Sequence, residues 1–172
     1  MPMFDVPHLT MALDVDDDGM LSVDLDIIAK EDLAYSQDYL DNYYGGETEK
    51  WYTSFMSSPL VKPKAAPTNM RGRVLVSPVR CSATMPNTEE SMALLAGACD
   101  ALVDRWLGWL DEATEIARVR RGTMLSRDKI LRRMSWAVLS TDPTYRSLGE
   151  KGADLAAAIA GPSDTPYTGQ YS

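Results

Sequence analysis

The stretch "HLTMALDVDDDGMLSVDLDI", residues 8–27, restricts the fold more than any other part of the chain. Leu9, Met11, Leu13 and Val15 alternate with His8, Thr10, Ala12 and Asp14; after Asp-Asp-Gly, Leu21, Val23, Leu25 and Ile27 alternate with Ser22, Asp24 and Asp26. Strict period two around a turn signal predicts an antiparallel hairpin, one face apolar and the other acidic. A solvated acidic face is the simplest use of that pattern. If Asp14, Asp24 and Asp26 instead face a closed pocket, like charges held together raise one another's pKa and permit proton chemistry.

The next segment, residues 25–52, holds five tyrosines and a tryptophan. Residues 30–44 read as helical, with Tyr35, Tyr39 and Tyr43 on one stripe, and Gly45-Gly46 stops that helix. A short helix from Glu47 to about Phe55 follows. "SSPLVKPKAAPTNMRGR" is a proline-punctuated loop, and "RVLVSPVRCSATM" a third strand whose proline marks a bulge or an edge. Asn87 with Glu90 resembles a capping box and opens the longest helix, 88 to about 120. Gly122 ends it, Ser126 caps a helix over 127–139, Asp142-Pro143 starts a short helical stretch, and "EKGADLAAAIAG" is a last helix. Strands first and helices second predict an α+β layer structure with an antiparallel sheet. Residues 1–160 are expected to form a single domain and 161–172 an extended or disordered tail.

Composition narrows function mainly by exclusion. The 172 residues carry 17 basic and 25 acidic side chains, a formal net charge of -8, which disfavours a nucleic-acid partner. Cys81 and Cys99 are isolated thiols, and with one histidine in the chain no metal site is expected. Both thiols are expected to be free and inert. No apolar run reaches the roughly 20 residues of a membrane span. There is no GxGxxG, P-loop, nucleophile elbow or HExxH, and His8 reads as a strand end rather than a catalytic base.

Three segments in order resemble the red chlorophyll catabolite reductases and their relatives, the ferredoxin-dependent bilin reductases. They are "LDIIAKEDLAYSQDYLDNYY", "VSPVRCSATMP" and "SRDKILRRMSW", with "DRWLGWLDEA" on a long helix between the last two. The match covers about residues 8–160. It implies an α/β/α sandwich with a central antiparallel sheet, an open-chain tetrapyrrole or chlorophyll catabolite bound against the sheet, and ferredoxin as electron donor if the protein is active. Ala12, Asp14, Asp24, Asp26, Arg80, Thr84 and Leu139 are then the expected pigment-facing positions. The tyrosines either wall a large flat pigment or pack on the sheet.

The departures from that family matter equally. Ala12 and Leu139 stand where those reductases place proton-donating carboxylates, while Asp26 matches a family aspartate. Asp14 and Asp142 are the nearest substitutes, so an active enzyme would rest on Asp14, Asp26 or Asp142. The resemblance also implies a chain lacking roughly the first third of the usual domain, with an exposed sheet edge. Residues 1–15 and the loop "PLVKPKAAPTNMRGR" are expected to contact another protein. The reading that follows is a degenerate member serving as an accessory subunit of a photosynthetic pigment–protein complex, a photosystem or light-harvesting complex, in a plastid (stromal or thylakoid-associated, the transit peptide outside this chain) or a cyanobacterium. The rival is a working ferredoxin-dependent reductase, and a third class is a pigment chaperone or lyase-like carrier.

Overall fold

The computed structural model describes residues 3–67 and 69–161. The hairpin forms as expected, from β1 (His8–Val15) and β2 (Leu21–Ile28), paired antiparallel from His8 opposite Ile28 to Val15 opposite Leu21. Asp16 organises the turn: its backbone N–H donates to the Met20 carbonyl at 2.9 Å, and its carboxylate accepts from the N–H groups of Asp18 and Met20. Gly19 lies at φ 75°, backbone that a side chain disfavours, which is why glycine ends the Asp-Asp-Gly run. The register decides which residues meet the core, because a slip of one would exchange the two faces.

Two further strands complete a four-stranded antiparallel sheet of order β1-β2-β4-β3, with β3 at Lys62–Pro63 and β4 at Cys81–Met85. The strand read over 73–85 is therefore only its second half. Arg73, Val74 and Leu75 end the helix α3 (Met70–Leu75), and Pro78 lies in the loop before β4. The proline on a sheet edge is Pro63, in a two-residue strand too short for periodicity to reveal.

The described residues divide into two compact units, 3–65 with 76–117, and 66–75 with 118–161. In the first, Val23, Leu25, Ile27, Cys81, Ala83 and Met85 carry the apolar face of the sheet, all fully buried. Three helices cover it: α1 (Gln37–Tyr44), α2 (Glu47–Met56) and α4 (Glu89–Glu112), through Tyr39, Tyr44, Phe55, Leu95 and Leu102. Helix α1 begins seven residues later than its apolar stripe implies. Asp32 holds residues 32–36 in a turn instead, accepting from the Ala34 N–H with its carboxylate and from those of Tyr35 and Ser36 with its carbonyl. Gly45 ends α1 as expected.

The tyrosines belong to this core. The Tyr44 hydroxyl donates to the Ile27 carbonyl at 2.7 Å, Tyr39 accepts from the Lys30 N–H, and Tyr43 donates to Asp5 at 3.0 Å. Tyr43 also packs edge-on against Trp109, ring centres 5.1 Å apart. Each ring thus buries its body and satisfies its hydroxyl. Tyr35 alone of the stripe is exposed.

The long helix stops earlier than expected, and its cap is Thr88 rather than Asn87: the Thr88 hydroxyl accepts from the Ser91 N–H. It ends at Glu112 because residues 113–117 leave helical backbone and dock, with Ile116 buried and its N–H bonded to the Met3 carbonyl. No Gly or Pro marks that break. Gly122 lies inside α5 (Arg118–Leu139), where a glycine costs only about 1 kcal/mol relative to alanine. In the second unit α5 packs on α3 and on α7 (Glu150–Ala160), and α6 (Pro143–Ser147) packs on α7. A side chain at Gly152 would collide with the Tyr145 carbonyl oxygen, 1.8 Å from an ideal Cβ, so that close approach demands glycine. The tail expected over 161–172 lies outside the described residues except for Gly161, which caps α7.

The core makes a direct prediction. Leu102→Ala should cost about 2–5 kcal/mol in urea unfolding followed by tryptophan fluorescence, and Val119→Ala, at an exposed position, less than about 0.5.

Candidate functional site on the polar face of the sheet

The register that buries one face sets the opposite face in rows. His8, Thr10, Ala12 and Asp14 come from β1, Ser22, Asp24 and Asp26 from β2, Ser82 and Thr84 from β4, and Lys62 from β3. Along β2 the two aspartates stand about 7 Å apart at positions i and i+2. Their surroundings differ sharply.

Asp24 is half-buried in an ion pair. Its carboxylate takes two hydrogen bonds from the Arg80 guanidinium, Nε to Oδ1 at 2.8 Å and Nη2 to Oδ2, and a third from the Ser82 hydroxyl at 3.1 Å. The fork matches the carboxylate plane, and Arg80 is held more firmly in its charged form by that contact. Arg80 precedes β4 by one residue, and Asp24 lies directly opposite Ser82 across the β2–β4 ladder, which is what brings the three together.

Asp26 is 4% exposed. The Ile27 N–H donates to its Oδ1 at 2.8 Å and the Ser77 N–H to its Oδ2 at 3.2 Å. Burial pushes its carboxyl above the usual range. The Ser77 hydrogen bonds, the Ile27 N–H and the Arg80 charge oppose that shift without cancelling it. A buried carboxyl that keeps its proton to higher pH than an ordinary aspartate is the chemical equipment of a general acid. Neighbouring Cys81 points to the other face, and burial with the two aspartates pushes its thiol up to about 12. That thiol is unreactive at neutral pH. Cys81 and Cys99 are both free.

The remaining expected positions fall differently. Ala12 and Asp14 lie on the edge strand β1 and are exposed, Asp14 accepting from the Val15 N–H. Thr84 is half-buried on the polar face, opposite Ser22 and Lys62. Leu139 and Asp142 belong to the second unit: Leu139 ends α5, and Asp142 is the exposed N-cap of α6, accepting from the Thr144 N–H at 2.8 Å. The face therefore unites Asp24, Asp26 and Arg80 with Ser82 and Ser77, two residues that sequence reasoning left out. Ser82 carried a signal, since alternation along β4 puts it on the face of Thr84. Ser77 carried none, because the chain reaches Asp26 through a loop. Lys64 also joins the rim: its backbone N–H bonds the Ser82 carbonyl and its ammonium donates to the Ser22 hydroxyl.

Among the described residues no helix is long and apolar enough to cross a membrane, and no group of three or more His, Cys, Asp or Glu is arranged to hold a metal ion.

A carboxyl with a raised folded-state pKa contributes stability below its unfolded value and loses it as pH rises. The stability of the protein relative to Asp26→Asn should therefore fall as pH rises above the ordinary aspartate range, measured as melting temperatures of both proteins across a pH series. A difference that rises with pH would mean that the carboxylate form is the favoured one.

No protein-family model and no curated protein matches this chain. Among solved structures it is similar to selenomethionine-labelled phytochromobilin synthase from tomato in complex with biliverdin, with a TM-score of 0.69 and 18% identity. The likeness covers 95% of this chain and 59% of that one. The chain has a bilin reductase-like α+β fold, and it spans 59% of the length of that protein.

Proposed function

We propose that this protein binds an open-chain tetrapyrrole against the polar face of its sheet, in a role that does not require full reductase turnover. The observation that carries the reading is the fixed polar surface of that face, the Arg80 fork on the Asp24 carboxylate beside the buried Asp26. A linear tetrapyrrole offers pyrrole N–H groups that carboxylates accept from, and propionates that cationic side chains attract. Asp24 supplies the first kind of group, and Lys62 and Lys64 on the β3 rim the second. The fold shared with a biliverdin-bound protein supports the choice of ligand class.

Against reductase turnover stand Ala12, which transfers no proton, and Asp142, which is exposed and already caps a helix. The raised pKa of Asp26 favours a second reading: a ferredoxin-dependent reductase of a bilin or chlorophyll catabolite, in which Asp26 protonates the substrate. Docking on a photosynthetic pigment–protein complex, in or near a plastid membrane, belongs to the first reading and rests on the resemblance of sequence segments alone.

Titration of the purified protein with biliverdin, followed by visible absorbance and induced circular dichroism, tests the binding claim. Saturable spectral change is expected, weakened at least about tenfold in Arg80→Ala, which frees Asp24 from its clamp. No saturable change with a folded protein would overturn it. Adding reduced ferredoxin separates the two readings: turnover that drops by about 10²–10⁴ in Asp26→Asn establishes the reductase.

A further inference from the structure

Strand β1 is the outermost strand of the sheet, and among the described residues nothing pairs with its far side. Natural sheets usually blunt such an edge with proline, lysine, a bulge or a short strand. Here none of these is present. The strand runs eight residues in unbroken register with β2, and "HLTMALDV" contains no proline, lysine or arginine.

The free edge is also apolar. Met11, Leu13 and Val15 are 38%, 52% and 51% exposed, although their partners on β2, Leu25, Val23 and Leu21, are buried to 0%, 0% and 6%. The helices that cover the centre of the apolar face thus leave its rim bare. The backbone of these residues faces the same way. Asp16 donates to Met20, its partner by extension of the β1–β2 register, which makes that pair hydrogen-bonded. Alternation along an antiparallel ladder then turns the even-numbered residues of β1 toward β2 and the N–H and C=O groups of Leu9, Met11, Leu13 and Val15 outward, the Val15 N–H being taken by the neighbouring Asp14 carboxylate.

We propose that this edge pairs with the β1 edge of a second copy, antiparallel about a two-fold axis at Met11, joining two four-stranded sheets into one of eight strands. Such a contact must be self-complementary, and β1 is. Centred on Met11, the pairing sets Leu9 opposite Leu13, Thr10 opposite Ala12 and His8 opposite Asp14. Apolar side chains meet apolar ones on one face. On the other face the strand's single carboxylate meets its single histidine. The antiparallel arrangement also carries the acidic turns, Asp16, Asp17 and Asp18 of each copy, to opposite ends of the interface. A parallel pairing would lay them side by side at a net charge of -8 per chain.

Light scattering coupled to size exclusion, over a concentration series of the full chain, tests this. The expected species has twice the 19.0 kDa chain mass. Leu13→Pro removes an outward N–H while leaving the β1–β2 bonds intact, and is expected to weaken the dimer at least about tenfold with an unchanged circular dichroism spectrum. Leu13→Lys, at a half-exposed side chain, reads the apolar face independently of the backbone and should act in the same direction. A monomer throughout the series, including one that pairs only with a different protein, overturns the proposal. So does a dimer that either folded variant leaves as tight as before.

Discussion

Strand β2 is hydrogen-bonded on both sides, and its alternation divides the molecule's chemistry in two. Leu21, Val23, Leu25 and Ile27 point into a core closed by three helices, and fixing them there fixes Ser22, Asp24 and Asp26 on the other face. The two outcomes are one constraint. No register keeps the core and moves the carboxylates, because side chains in a strand repeat every two residues. The energetic weight lies with the core: burying a Leu, Ile or Val side chain contributes about 1.5–3 kcal/mol each. That is enough for the apolar face to tolerate an unfavourable carboxyl behind it.

Position within the sheet then decides what each carboxyl becomes. Asp14, Asp24 and Asp26 share a face and a residue type, yet one is exposed, one ion-paired and one buried. Asp14 stands on the outer strand with water beside it. Asp24 meets Arg80 because β4 pairs on the far side of β2. Asp26 stands beyond the end of β4, where the loop through Ser77 closes over it. The buried aspartate is the one whose surroundings favour the protonated carboxyl.

How much of this was legible follows from the range of each interaction. The hairpin, the Gly45 stop, the α6 and α7 starts and the α+β class rest on neighbours in sequence, and the residues announce them. Ranking Asp26 above Asp14 needs the strand order and a contact across 51 residues, which no local pattern contains. The break after Glu112 is set by Ile116 docking on Met3, so a scan for Gly or Pro places it wrongly at Gly122. The tyrosine run shows the converse. Its period was plain, but whether phenols line a ligand or a core depends on which sheet face the helix meets, and Tyr39 and Tyr44 meet the apolar one. Net charge misleads similarly: at -8 the chain is acidic, yet α5 carries seven Arg or Lys residues and a single acid.

The central claim is that Asp26 is a buried proton-holding group on the polar face of the sheet. Carbon-13 NMR of the side-chain carboxyls, titrated with pH and assigned through Asp26→Asn, measures it directly. An Asp26 carboxyl that titrates clearly above the usual aspartate range is the predicted result. Titration at or below the ordinary aspartate range would contradict the account.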